Sequence, residues 1–157
     1  MENNSKAYLT FGLANEKFAI PVDLVQEVVE FGFVTKVPYT PEYILGIINL
    51  RGRVLPLLDT NLKLNLPATE KTSKTRILVL NLTGDDDKNL HVGALVDVAR
   101  EVIEIKPEDI QQTPEFENSK TSVPITGIVN RQGDITMIID IAKVFSLNEI
   151  VDTTPLN

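Results

Sequence analysis

Short apolar runs separated by polar breaks carry most of the chain, and "GIINLRGRVLPLLD" over residues 46–59 shows the pattern most plainly. Two apolar stretches flank Asn49-Leu50-Arg51-Gly52. Asn at the first turn position and Gly at the fourth predict a type I turn joining antiparallel strands at about 44–49 and 53–58. The pattern returns as "GIVNRQGDITMIID" over 127–140, with Gly, Ile, Asn, Gly and Asp identical and apolar partners at Ile48/Val129, Val54/Ile135, Leu57/Ile138 and Leu58/Ile139. A second hairpin, about 125–129 with 134–139, follows from it.

Two further blocks recur in the same order. "AIPVDLVQEVVE" (19–30) aligns with "GALVDVAREVIE" (93–104), and "YLTFGL" (8–13) more weakly with "ILVLNL" (77–82). A repeat constrains architecture more firmly than local propensity does. The offset grows along the chain, so the second copy has longer connections around Asp85-Asp86-Asp87 and Lys106–Ser122, as loop insertions do. Each half then reads as strand, strand, a longer apolar stretch and a hairpin, and about five short strands per half predict a small barrel. Asp59 and Asp140 are placed to cap short helices in "DTNLKL" and "DIAKVF".

The expected fold is therefore mainly β: two pseudo-repeated five-stranded barrels, with short helices at the barrel exits and toward the C-terminus. Halves of this size are marginal alone, so they are expected to pack together over a shared core, with a groove at the seam. One domain is expected over 7–145, its halves spanning about 15–75 and 76–145 with room for exchanged edges. Residues 65–76, "NLPATEKTSKTR", form the linker, and 1–6 and 152–157 are tails.

Composition supports this picture and removes several functions. With 157 residues, 43% of them hydrophobic, a core is available, and nine prolines and eight glycines among many Val, Ile and Leu favour strands over a helical bundle. A net charge of -7 opposes binding to a phosphate backbone. No cysteine is present, which removes disulfides, thiolate chemistry and Cys-ligated zinc. No apolar run reaches the ~18 residues that span a bilayer, and "MENNSKAYLTF" lacks the pattern of a signal peptide, so a cytoplasmic location is expected.

Catalytic chemistry finds little support. His91 is the single histidine and has no evident partner, and phosphate-cradling motifs such as GxGxxG are missing. Asp85, Asp87 and Asn89 resemble the opening of a calcium loop, but Leu90 and Val96 stand where Gly and Glu are needed, which favours a solvated hairpin turn. Asp23/Asp97 and Glu27/Glu101 match across the repeat. A recurring Asp beside a turn reads best as a cap for backbone N–H groups. A small-molecule-binding barrel or a hydrolase using Asp23, Glu27 or His91 is the alternative, and it requires a pocket that gathers them. No metal site and no cofactor are expected.

Arg51 breaks the repeat, because Gln132 stands in its place. Its role belongs to the first half alone. With apolar Leu50 beside it, an interaction surface or a partly covered turn accounts for both residues, and Glu27 is the carboxylate expected to pair with a partly buried guanidinium.

These blocks resemble the CheW family of chemotaxis coupling proteins over nearly the whole chain, most specifically in "VQEVVE" and "GIINLRG" at this order and spacing. The resemblance implies two five-stranded SH3-like barrels around a shared core and no catalytic activity. It implies an adaptor that joins the helical-hairpin tips of chemoreceptors to the regulatory domain of the CheA histidine kinase, a monomer in isolation and an array member beneath the membrane. Carried onto this chain, it places receptor contacts at Val25, Val28, Gly46 and Val102. Kinase contacts fall at Val34, exposed in "EFGFVTKV", at Leu45, and at Phe116 in the insertion "QQTPEFENS". Glu27 and Arg51 match an ion pair of the family, whereas Gln111 departs from a frequent basic residue. Relatives with an added ATP-binding region or receiver domain share the module, and neither addition is expected within these 157 residues.

Overall fold

The computed structural model describes residues 4–83, 89–112 and 124–145. In them, strands β1 (Lys6–Leu13), β2 (Glu16–Pro21), β3 (Val25–Glu30), β4 (Ile44–Leu50) and β5 (Arg53–Asp59) lead into helix α1 (Thr60–Lys63). The second copy supplies β6 (Arg76–Thr83), β7 (Asn89–Val96), β8 (Val98–Ile105), β9 (Ile125–Arg131), β10 (Asp134–Ile139) and helix α2 (Ile141–Val144).

The two five-stranded sheets do not follow the two sequence copies. One has the order β8-β1-β2-β10-β9 and the other β3-β6-β7-β5-β4. Replacing each strand by its repeat counterpart converts one order into the other. Each sheet thus takes the first two strands of one copy and the last three of the other, joined by one antiparallel pair, β1 with β8 or β6 with β3, and one parallel pair, β2 with β10 or β7 with β5.

Single bridges complete the curl of each sheet. Past β3 the chain returns at Thr35, whose N–H donates to Ile47 O at 2.9 Å and whose carbonyl accepts from Ile47 N at 2.8 Å, tying it to the opposite edge strand. Past β8, Gln111 does the same with Ile128, at 2.8 and 2.9 Å. Gly46 and Gly127 lie beneath these bridges. A Cβ on Gly46 would collide with the Thr35 carbonyl and stand 2.9 Å from Val34 Cγ1, and φ there is +147°. On Gly127 it would collide with Ile110 Cγ2. This is the physical reason both glycines recur.

Alternation along the strands sorts side chains between cores. Leu9, Phe11, Leu78, Leu80 and Ile139 turn inward to a core shared by both sheets. Ile77, Val79, Leu55 and Leu57 fill the curl of one sheet, and Tyr8, Ala19, Val129 and Ile138 that of the other. Both helix caps form as expected. Asp59 accepts from Asn61 N and Leu62 N, and Asp140 from Lys143 N.

The hairpin turns differ from expectation. Leu50 pairs with Arg53, so the loop is Arg51-Gly52, with φ of +54° and +81°. Gln132 and Gly133 repeat this at +56° and +85°. Two positive φ values make the mirror-image I′ turn, centred one residue later than the expected type I turn, because I′ follows the right-handed twist of the strands. Asn49 and Asn130 still matter, since each side-chain oxygen accepts from the glycine N–H, at 3.1 and 2.9 Å.

Candidate functional site

Val28 on β3 and Val102 on β8 occupy equivalent repeat positions, and both are exposed, by 41% and 55%. Their strands are edge strands of different sheets. Exposure follows from register: on β3, half-buried and exposed residues alternate, so Val25 packs on the shared core while Val28 points outward. Carboxylates accompany both valines, Glu27 and Glu30 on one strand and Glu101 and Glu104 on the other. Each strand also carries a bulge, and at the second one the Thr10 hydroxyl anchors the backbone of Glu101 from both sides.

Beside Val28, Arg51 Nη1 lies 2.7 Å from Glu27 Oε2. The I′ turn projects the arginine from the hairpin tip toward β3, next to a shallow depression walled by Leu50, Leu55, Val79 and Arg53. The guanidinium is not partly buried as expected. Its side chain is 76% exposed and that of Glu27 is 26% exposed, so the pair contributes about 0.2–1 kcal/mol and not the cost of a buried charge.

Gly46 is covered by the chain's own Thr35, as described above. Val34, expected to be exposed, is half buried and packs with Leu45 onto the core inside the curl of its sheet. The exposed apolar residue of that connection is its neighbour Phe33, at 88%. Tyr39 is fully exposed nearby, and Val54 and Ile135, another repeat-related pair, are exposed on their hairpins. Sequence reading missed these four, although the matched apolar positions of Val54 and Ile135 were a visible signal. Phe116, Asp85 and Asp87 lie outside the described residues.

The residues of the enzymatic alternative are not gathered. Asp23 is exposed on a 3-10 turn, Glu27 is paired with Arg51, and His91 sits on β7 opposite Asn81. The depression beside Glu27 is lined by neither Asp23 nor His91. Burial, and then the charge of Arg53, lower the His91 pKa below its ordinary value. The repeat explains this neighbour: the other sheet has Lys17 and Asp134 at the same two positions, and there they form an ion pair. Among the described residues no group of three or more His, Cys, Asp or Glu could hold a metal ion, and no helix is long and apolar enough to cross a membrane.

Two intertwined curled sheets that expose apolar residues on their edge strands, beside a surface ion pair, define a binding module. The CheW-like domain model matches residues 7–149, and the chain belongs to the CheW family, whose members are non-enzymatic chemotaxis scaffolds. It is 35% identical over 132 residues to chemotaxis protein CheW of Bacillus subtilis, covering 84% of this chain and 81% of that one. CheW of Rhizobium meliloti is 28% identical, with 95% and 93% covered. The crystal structure of the scaffolding protein TtCheW from Thermoanaerobacter tengcongensis superposes with a TM-score of 0.79 at 30% identity, over 98% of this chain and 99% of that one. The match makes the fold a pair of SH3-like subdomains.

Proposed function

We propose that this protein couples the helical-hairpin tips of chemoreceptors to the regulatory domain of the CheA kinase, so that receptor state alters kinase autophosphorylation. Within the family, the observation that carries this reading is the exposure of Val28 and Val102 at matched positions on two different sheets. Apolar anchors of that kind suit a helix laid across the seam between the subdomains. Val25 and Gly46 belong to the same receptor contact, and the Glu27–Arg51 pair shapes its rim. Val34 and Leu45 belong to the kinase contact of the first subdomain, with Phe116 serving a second contact. The working unit is one domain over 7–145 with halves meeting near 75, cytoplasmic and recruited to receptor arrays.

Reconstitution tests the reading. Purified protein is expected to bind the kinase regulatory domain and to restore receptor control of autophosphorylation when receptor fragments are added. Arg51→Glu and Glu27→Arg should each weaken that control, and the double swap should recover part of it. Failure of the parent protein in both binding and coupling overturns the adaptor reading.

A further inference from the structure

A buried polar cluster joins the two sheets in one place. Asp97 is the residue at which the chain leaves β7 in one sheet for β8 in the other. One of its oxygens, Oδ2, accepts from Ala14 N at 2.8 Å, in the β1–β2 turn of the first sheet. The other, Oδ1, accepts from Asn61 Nδ2 at 3.1 Å, on α1 beyond the second sheet. Asn61 also donates to Thr69 Oγ1 at 3.0 Å, and Thr69 is bound to Asp59 through both its N–H (3.1 Å) and its hydroxyl (2.9 Å). The backbone of Asp97 adds a bond from its N–H to Gly12 O at 3.1 Å. Asp59, Asn61 and Thr69 are all buried.

Among the described residues the repeat does not reproduce this arrangement. Asp23, the counterpart of Asp97, is exposed at the equivalent crossover, and the counterpart of Asn61 is Ala142, which has no amide to donate. The Asn61–Asp97 bond is thus specific to one of the two crossovers, since Ala142 cannot make it at the other. Its position suggests what it does: Val102 follows Asp97 by five residues on β8, while Val28 stands on the other sheet. The separation of the two valines depends on how the sheets meet.

We infer that Asp97 is a positioning residue that holds the two sheets in one orientation and thereby sets the spacing of Val28 and Val102. The consequence for partners rests on the receptor surface proposed above. A surface drawn from both sheets feels the loss of this clasp, whereas the contact at Val34 and Leu45 lies on one sheet and does not. Holding anchors at the correct spacing before binding raises affinity by lowering the ordering cost.

The chain has no native cysteine, so spin labels on Val28→Cys and Val102→Cys report their separation without background. The parent should give one narrow distance distribution, Asp97→Ala and Asn61→Ala a broadened or shifted one, and Asp23→Ala the parent's. Without labels, Asp97→Ala should bind a receptor tip fragment about tenfold more weakly and the kinase regulatory domain as the parent does. If Asp97→Ala does not fold, Asn61→Ala carries the test from the other side of the bond. An unchanged distribution in a folded clasp variant, or equal losses toward receptor and kinase, overturns the inference. If the parent itself binds no receptor fragment, the receptor reading fails, and the distance measurement still decides the role of Asp97.

Discussion

The carbonyl of Thr35 occupies the space that a side chain on Gly46 would need. That contact closes the curl of one sheet, and the backbone of Gly46 is left at φ +147°, where an L side chain is strained. Gly127 lies under the matching bridge but meets a side-chain atom, the Ile110 Cγ2 methyl, in place of a backbone carbonyl, and its φ is not in the strained positive region. Gly46→Ala should therefore lower unfolding free energy by about 2–4 kcal/mol and Gly127→Ala by about 1 kcal/mol. Denaturant unfolding measures both, and equal losses would contradict the stated asymmetry.

Asp59 and Asp140 both cap a short helix, yet their surroundings differ. Asp59 is buried and also accepts from the Thr69 N–H and hydroxyl, while Asp140 accepts from Lys143 N at 3.3 Å near the surface. Replacing Asp59 by Ala leaves several buried donors unsatisfied and should cost about 2–4 kcal/mol, against about 1 kcal/mol for Asp140→Ala. Thermal or chemical unfolding of the two variants ranks them.

The Glu27–Arg51 pair is exposed on the arginine side, so its value for stability is small and screened by salt. A double-mutant cycle with Glu27→Gln and Arg51→Gln should give a coupling of about 0.2–1 kcal/mol at low ionic strength, falling toward zero at high salt. A coupling several times larger would mean the pair is buried in solution.

His91 beside Arg53 gives a pH dependence with a definite sign. Its folded pKa is lowered by burial and by the Arg53 charge, so the unfolded chain binds the proton more readily. Stability from this residue is present above the unfolded value near 6.5 and is lost as pH falls through it toward the folded value. Arg53→Asp copies the acid that Asp134 places beside Lys17 in the other sheet, and it should raise the His91 pKa and flatten the slope. Titration of the single histidine by proton NMR reads both states.

Much of the architecture was written in the sequence, because a repeat shows which residues both copies need. Gly46 and Gly127, Asn49 and Asn130, and Asp59 and Asp140 recur, and each serves a bridge, a turn or a cap in both copies. Strand periodicity likewise marked the hairpins and the apolar faces, since alternate residues face opposite sides whatever the partner strand is. Arg51, absent from the second copy, announced itself as one-sided and was found with Glu27.

Beyond the two hairpins, only the tertiary structure decided which strands pair. The same apolar pattern permits two separate sheets or two that exchange strands, and the choice depends on long-range packing of β2 on β10 and β7 on β5, which local periodicity does not encode. Burial was decided at the same level. Val34 packs half buried against the core and Phe33 stays out because the bridge at Thr35 sets which way that connection faces, and Arg51 is solvated because an I′ turn points it off the hairpin tip. The clasp at Asp97 joins residues 14, 61, 69 and 97, brought together by the meeting of the sheets and by no spacing along the chain.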